Sequence, residues 1–145
     1  MAYQEELTKH RHRLPLYDLD PITENAWVAP NATVVGEVLI LKYSSIWYNA
    51  VVRGDLNKVH ILDFVSIGEN SVVMTSSSLP TGMPASCKIG SNTVVENNCT
   101  IISADIAEDC YIGAHSTILE GAKIERGAHI APYTVVPPGR LIPAD

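Results

Sequence analysis

At 145 residues, with a formal charge of -6 and a pI near 5.3, the chain fits one domain and lacks the basic face that nucleic acid or an anionic membrane normally requires. No stretch approaches the about 18 uninterrupted apolar residues of a membrane span, so membrane association would have to run through another protein or a surface helix. The three cysteines are too few for a disulfide framework, and a reducing compartment is implied.

The opening segment, M-A-Y-Q-E-E-L-T-K-H-R-H-R-L-P, mixes Glu5 and Glu6 with Lys9, Arg11 and Arg13. It is unlike an acid-poor transit peptide or an apolar secretory signal, so a cleaved presequence is expected to lie outside this numbering or not to exist. Residues 1–23 read as an N-terminal arm that either caps the first coil or reaches a neighbouring protein. Residues 24–145 read as a repeat domain.

An aliphatic residue recurs at a spacing of six. The beat runs through Val28, Val34, Ile40, Ile46 and Val52, then Ile61, Ile67 and Val73, then Ile89, Val95 and Ile101. It is unbroken from Ile106 through Ile112, Ile118, Ile124, Ile130, Val136 and Ile142, far beyond chance. Two residues before these aliphatics stand mostly small side chains, among them Ala32, Ser44, Ala50, Ser71, Thr93, Cys99, Ala104, Cys110, Ser116, Ala122 and Ala128. Cys99 and Cys110 therefore read as core packing.

A six-residue unit with one inward aliphatic and a small neighbour at the bend makes one short wall, and three walls close a coil. The expected fold is all-β: a parallel β-helix, a triangular prism of about six coils. An ordinary β-sandwich would let the alternation drift in phase between strands. The interruptions read as corner loops: R-G-D-L-N after Val52, a longer insertion with Pro80, Gly82 and Pro84 after Val73, and one residue lost between Ile101 and Ile106. The long insertion is open to two readings, an active-site lid or a tolerated surface loop.

The segments W-Y-N-A-V-V-R-G-D-L-N-K, I-G-E-N-S-V-V, C-Y-I-G-A-H-S-T-I-L-E-G-A and V-V-P-P-G-R-L-I-P resemble the γ-class carbonic anhydrases. With the S-L-P-T-G-M-P-A insertion, the chain is most similar to the carbonic-anhydrase-like subunits of mitochondrial respiratory complex I. The resemblance implies a left-handed β-helix that forms trimers. It also implies a C-terminal helix that this chain, ending at Asp145, does not contain.

Active members of that family hold zinc with three His, two from one subunit and one from its neighbour, and the metal supplies hydroxide to carbon dioxide; carbonic anhydrase is the standard three-His example. The motif alignment places those ligands at Met74, Asn97 and Ile102, none of which supplies an imidazole. The family's Gln one hexad before the first ligand is Gly68 here. His10, His12, His60, His115 and His129 remain, but no three of them share a coil and a wall. Arg53 and Asp55 match the family's charged pair at the subunit contact. Met74 and Ile102 follow inward aliphatics and so point outward, a phase shared by Val35, Leu41, Trp47, Leu62 and Leu119, which suggests covered walls.

The expectation is therefore a non-catalytic subunit of a heterotrimer, with no cofactor of its own and zinc only in partner subunits. Its partners would be two other γ-type chains and membrane-arm subunits of complex I, on the matrix side of the mitochondrial inner membrane. Its subunit interface would use Trp47, Arg53, Asp55, Met74 and Ile102. Three alternatives stay open: a zinc-dependent γ-type carbonic anhydrase with a remodelled site, an acyltransferase on the same solenoid, and a cytosolic hexapeptide-repeat scaffold.

Overall fold

The computed structural model describes residues 13–14, 21–80, 82 and 84–144. The chain winds as a left-handed parallel β-helix whose strands are mostly two residues long and pair with the coil above and the coil below. The first wall stacks Trp27–Val28, Ser45–Ile46, Ser66–Ile67, Val94–Val95, Tyr111–Ile112 and His129–Ile130. The second wall runs from Arg13–Leu14 through the starts of Thr33–Ile40 and Val51–Ile61 to Val72–Met74, Thr100–Ile102, Thr117–Ile118 and Val135–Val136. The third begins at Ile22–Thr23, takes the ends of the same two long strands, and continues to Cys87–Ile89, Asp105–Ile106, Lys123–Ile124 and Leu141–Ile142.

The six-residue beat becomes internal ladders. Ile106 pairs with Ile124 and Ile124 with Ile142, one coil apart. Ile46, Ile67, Ile89, Ile101, Ile106, Ile112, Ile118 and Ile124 are fully buried. Each such side chain stabilises the fold by about 1.5–3 kcal/mol relative to exposure. The small-residue slot is also buried: Cys99 and Cys110 lie in the core, each Sγ within reach of a carbonyl of the next coil, as expected.

There are about seven turns rather than six. The additional layer comes from Arg13–Leu14 and Ile22–Thr23, which pair on Thr33–Ile40. Residues 13–14 and 22–23, assigned by pattern to an arm, thus lie on the edge of the solenoid.

The expected R-G-D-L-N loop is not a loop. Val51–Ile61 is one continuous strand that turns the corner alongside Thr33–Ile40, with an irregularity between Gly36 and Val38. Glycine makes this possible: Gly36 has φ of 83°, and a Cβ on it would sit 2.6 Å from the Gly54 carbonyl oxygen. The second insertion does leave the strand pattern. It is pinned where the Ser76 N–H donates to Ser103 Oγ at 2.8 Å and the Ser103 hydroxyl donates to the Ala85 carbonyl at 2.6 Å, with Leu79 buried beneath it.

Most corners are built from left-handed residues three positions before the ladder aliphatic. Asn49, Asn70, Asn92, Asn98, Asp109, Gly121, Gly127 and Gly139 all have φ between 58° and 77°. Asn, Asp and Gly are the residues that tolerate this conformation.

Candidate functional site

The positions that the motif resemblance aligns with the family's ligands sit at the two edges of the second wall. Val34, Val52, Val73, Ile101 and Ile118 point inward in register along this wall, so the residues that follow them, Val35, Arg53, Met74, Ile102 and Leu119, form one outward column. Met74 and Ile102 are direct register partners on adjacent strands. Both are half-buried.

Asn97 lies across the wall, at the corner where the chain leaves the first wall. Its Oδ1 accepts the Glu69 N–H at 2.9 Å. The same oxygen and the backbone of Glu96 and Asn97 come within 2.6–2.7 Å of where a Cβ on Gly68 would stand. Gly68 is buried, and the family's Gln cannot enter there without moving backbone. Asn97 and Gly68 thus make one compact corner: the side-chain amide closes over a position that only glycine fills.

Zinc does not fit this set. Ile102 has no donor atom, Met74 offers only a thioether, and the Asn97 carbonyl oxygen is already engaged by an amide. No chemical step through a metal follows from these residues.

The remaining imidazoles do not converge. His115 occupies a left-handed corner, φ 61°, stacked on Tyr133 at 4.8 Å and 3°. His129 points out of the first wall beside Tyr111, and His60 out of the third. Among the described residues no group of three or more His, Cys, Asp or Glu is placed to hold a metal ion. His10 and His12 lie outside the described residues.

Arg53 and Asp55 are joined within the chain, with Asp55 also accepting the Leu56 N–H at 3.1 Å. Arg53 stands in the same column as Met74 and Ile102, so the charged pair shares one surface with two of the positions that the resemblance aligns with ligands. Trp47 lies on the other edge, 5.1 Å from Trp27 and 38% exposed. Val35, Leu41, Leu62 and Leu119 are half-buried within the single chain.

Two features escaped sequence reasoning. A cavity of about 560 Å³ opens between the pinned insertion and the lower coils, lined by Leu79, Pro80, Pro84, Lys88, Glu120 and Lys123 among others. No periodic signal could have found it, because its roof is the long insertion, which lies outside the repeat. The second is a hydrogen bond of 2.8 Å from the Tyr111 hydroxyl to Glu96, which raises the phenol's pKa because ionisation would set two anions together.

Residues 103–138 match the family model described as bacterial transferase hexapeptide (six repeats). The chain is 32% identical over 142 residues to γ carbonic anhydrase 2, mitochondrial, of Arabidopsis thaliana, covering 97% of this chain and 51% of that protein. It is 38% identical over 94 residues to γ carbonic anhydrase-like 1, mitochondrial, of the same plant, covering 65% of this chain and 35% of that one. A hexapeptide transferase family protein from Anaplasma phagocytophilum superposes with a TM-score of 0.85 at 26% identity, over 92% of this chain and 76% of the other. The chain spans about half the length of the curated relatives it matches along most of its own.

Proposed function

The chain belongs to the γ-class carbonic anhydrase family, and from that premise we propose that it is a catalytically silent subunit of a γ-type trimer. The observation that carries this reading is a division within one wall. The ladders hold Met74 in register with Ile102 and Arg53 in the same column, while by the motif resemblance Arg53 and Asp55 match the family's charged pair and Met74, Asn97 and Ile102 stand where the family has its ligands.

In this role the second wall works by shape and charge. Its outward column offers half-buried apolar side chains on either side of Arg53, a surface suited to burial against a neighbouring prism. Opposite charges across such a contact set register and disfavour wrong partners more than they add affinity. Zinc resides only in sites completed by other members of the trimer.

The relatives named as mitochondrial support a mitochondrial location. We place the trimer on the matrix side of the inner membrane, against the membrane arm of complex I, with two related γ-type chains. No helix among the described residues is long and apolar enough to cross a membrane, so attachment runs through neighbouring subunits.

Isolation from the native source in mild detergent, with subunit composition read by mass spectrometry, tests this assembly. Co-migration with two γ-type chains and NADH dehydrogenase subunits is the expected result. A free homotrimer would contradict it.

A further inference from the structure

The aromatic residues are segregated on the prism. Trp27 and Tyr111 point out of the first wall, Tyr43 and Phe64 mark the corner where the chain enters it, and Trp47, Tyr48 and Tyr133 the corner where it leaves. These are all the aromatics among the described residues, so the faces of the second and third walls carry none.

Three of them, Tyr43, Phe64 and Tyr133, take a left-handed backbone, and the first two share one corner. The entry corner repeats a left-handed residue on successive coils: Asn25, Tyr43, Phe64, Asn92, Asp109 and Gly127, all with φ between 51° and 77°. Four of the six are residue types that accept this conformation; a bulky aromatic does so only with strain. Tyr43 and Phe64 nevertheless occupy adjacent coils, stacked at 5.3 Å, and remain 65% and 57% exposed. Neither burial nor backbone preference accounts for them, and positions that break local rules without structural gain gather at functional surfaces.

The rest of the wall suits contact. Trp27 and Trp47 pack edge to face, both exposed, and the strands beneath present Ser45, Ser66 and Gly68, which leave the face flat. The bordering corners carry Glu24, Asp63, Glu69, Glu96 and Glu108 against Lys42; Arg126 is already paired with Asp109. An aromatic centre with a charged rim has the anatomy of a protein interface, and the sign of this rim specifies the partner.

We propose that the first wall docks a protein partner through an arginine-bearing basic segment, whose guanidinium groups stack on Tyr43–Phe64 and Trp27–Trp47 while the flanking carboxylates neutralise them. A second copy presenting the same wall would oppose acid to acid, and an anionic lipid surface would meet the same repulsion. Trp47 lies at the corner shared with the second wall, but Trp27, Tyr43 and Phe64 stand away from the subunit contact proposed above. Failure of this docking face leaves that contact untouched.

The test uses the double variant Tyr43→Asn, Phe64→Asn, which gives the corner the residue it already has at Asn25 and Asn92. Both chains are titrated with a hexa-arginine peptide at physiological salt and followed by tryptophan fluorescence, which reports locally because both tryptophans lie on this wall. The expected result is saturable binding, tighter than that of hexalysine and weakened about tenfold in the variant, whose thermal midpoint equals or exceeds that of the parent. Equal affinity in the two chains overturns the proposal. So does a variant of lowered thermal stability, which would make the stacked pair structural. Self-association, or binding to phosphatidylserine vesicles, that the substitutions abolish would likewise overturn it, by assigning the face to a second copy or to lipid.

Discussion

Met74 and Ile102 stand opposite one another on neighbouring strands, fixed by the pairing of Val73 with Ile101 one residue inside. Adjacent strands are about 4.8 Å apart, so two imidazoles at these positions would share one metal readily. Here the backbone frame persists while its side chains are a thioether and a hydrocarbon. The ladder sets the geometry from within the prism, and nothing in the ladder depends on what the outward residues carry. Chemistry can therefore be lost without loss of fold.

The ladder should show its weight in a single substitution. Ile112→Ala opens a cavity at a fully buried position between Val95 and Ile130, and a cost of about 2–5 kcal/mol is expected in denaturant unfolding. Val94→Ala, next to Val95 on the neighbouring strand but exposed, should change stability by about 0.5 kcal/mol or less.

Asn97 is expected to behave as a corner residue. Asn97→Ala removes the acceptor of the Glu69 N–H and should cost about 1 kcal/mol. Restoring the family residue by Gly68→Gln should destabilise by about 1–3 kcal/mol, because its Cβ meets the backbone of Glu96. Thermal unfolding of the two variants checks both, and a neutral Gly68→Gln would contradict the packing described.

Arg53 and Asp55 separate stability from assembly. As a pair within one chain, with Arg53 exposed and Asp55 half-buried, they contribute about 1 kcal/mol or less, so Asp55→Ala should change monomer unfolding by no more than about that amount. The same substitution should weaken trimer formation, read by sedimentation of the reconstituted subunits.

The thiols should be inert in the folded state. Burial pushes the Cys87 thiol up to about 12 from its ordinary 9.0, and burial also raises Cys99 and Cys110. A thiol whose pKa is raised by folding contributes stability in full below pH 9.0, and that contribution drains away as pH climbs toward about 12. Alkylation at neutral pH should therefore be slow until denaturant is added, and stability should fall on the alkaline side.

The sequence made the ladders readable because each inward position carries Ile or Val at a constant spacing. It hid the first layer because the phase slips there: Thr23 pairs with inward Ile40, whereas Ile22 pairs with Leu39 and points out, 60% exposed. The R-G-D segment read as a loop because its extra residues break the spacing. Strand pairing there depends instead on Gly36 and Gly54 approaching across two coils. The former ligand positions were legible only through resemblance. That Met74 and Ile102 are register partners, and that Asn97 is held by Glu69, follows from strand pairing between coils and has no local sequence signal. The left-handed corner was written in the recurring Asn, Asp and Gly three places before most ladder residues, and the aromatic exceptions at Tyr43, Phe64 and Tyr133 gain meaning only against that rule.

The most direct measurement is metal content and carbon dioxide hydration on this chain purified free of other subunits and supplied with zinc at neutral pH. If Met74, Asn97 and Ile102 have ended metal binding, zinc dialyses away and hydration matches the uncatalysed rate with or without chelator. One retained zinc per chain, with hydration lost to chelator and restored by the metal, would contradict the account and return the search for ligands to the histidines.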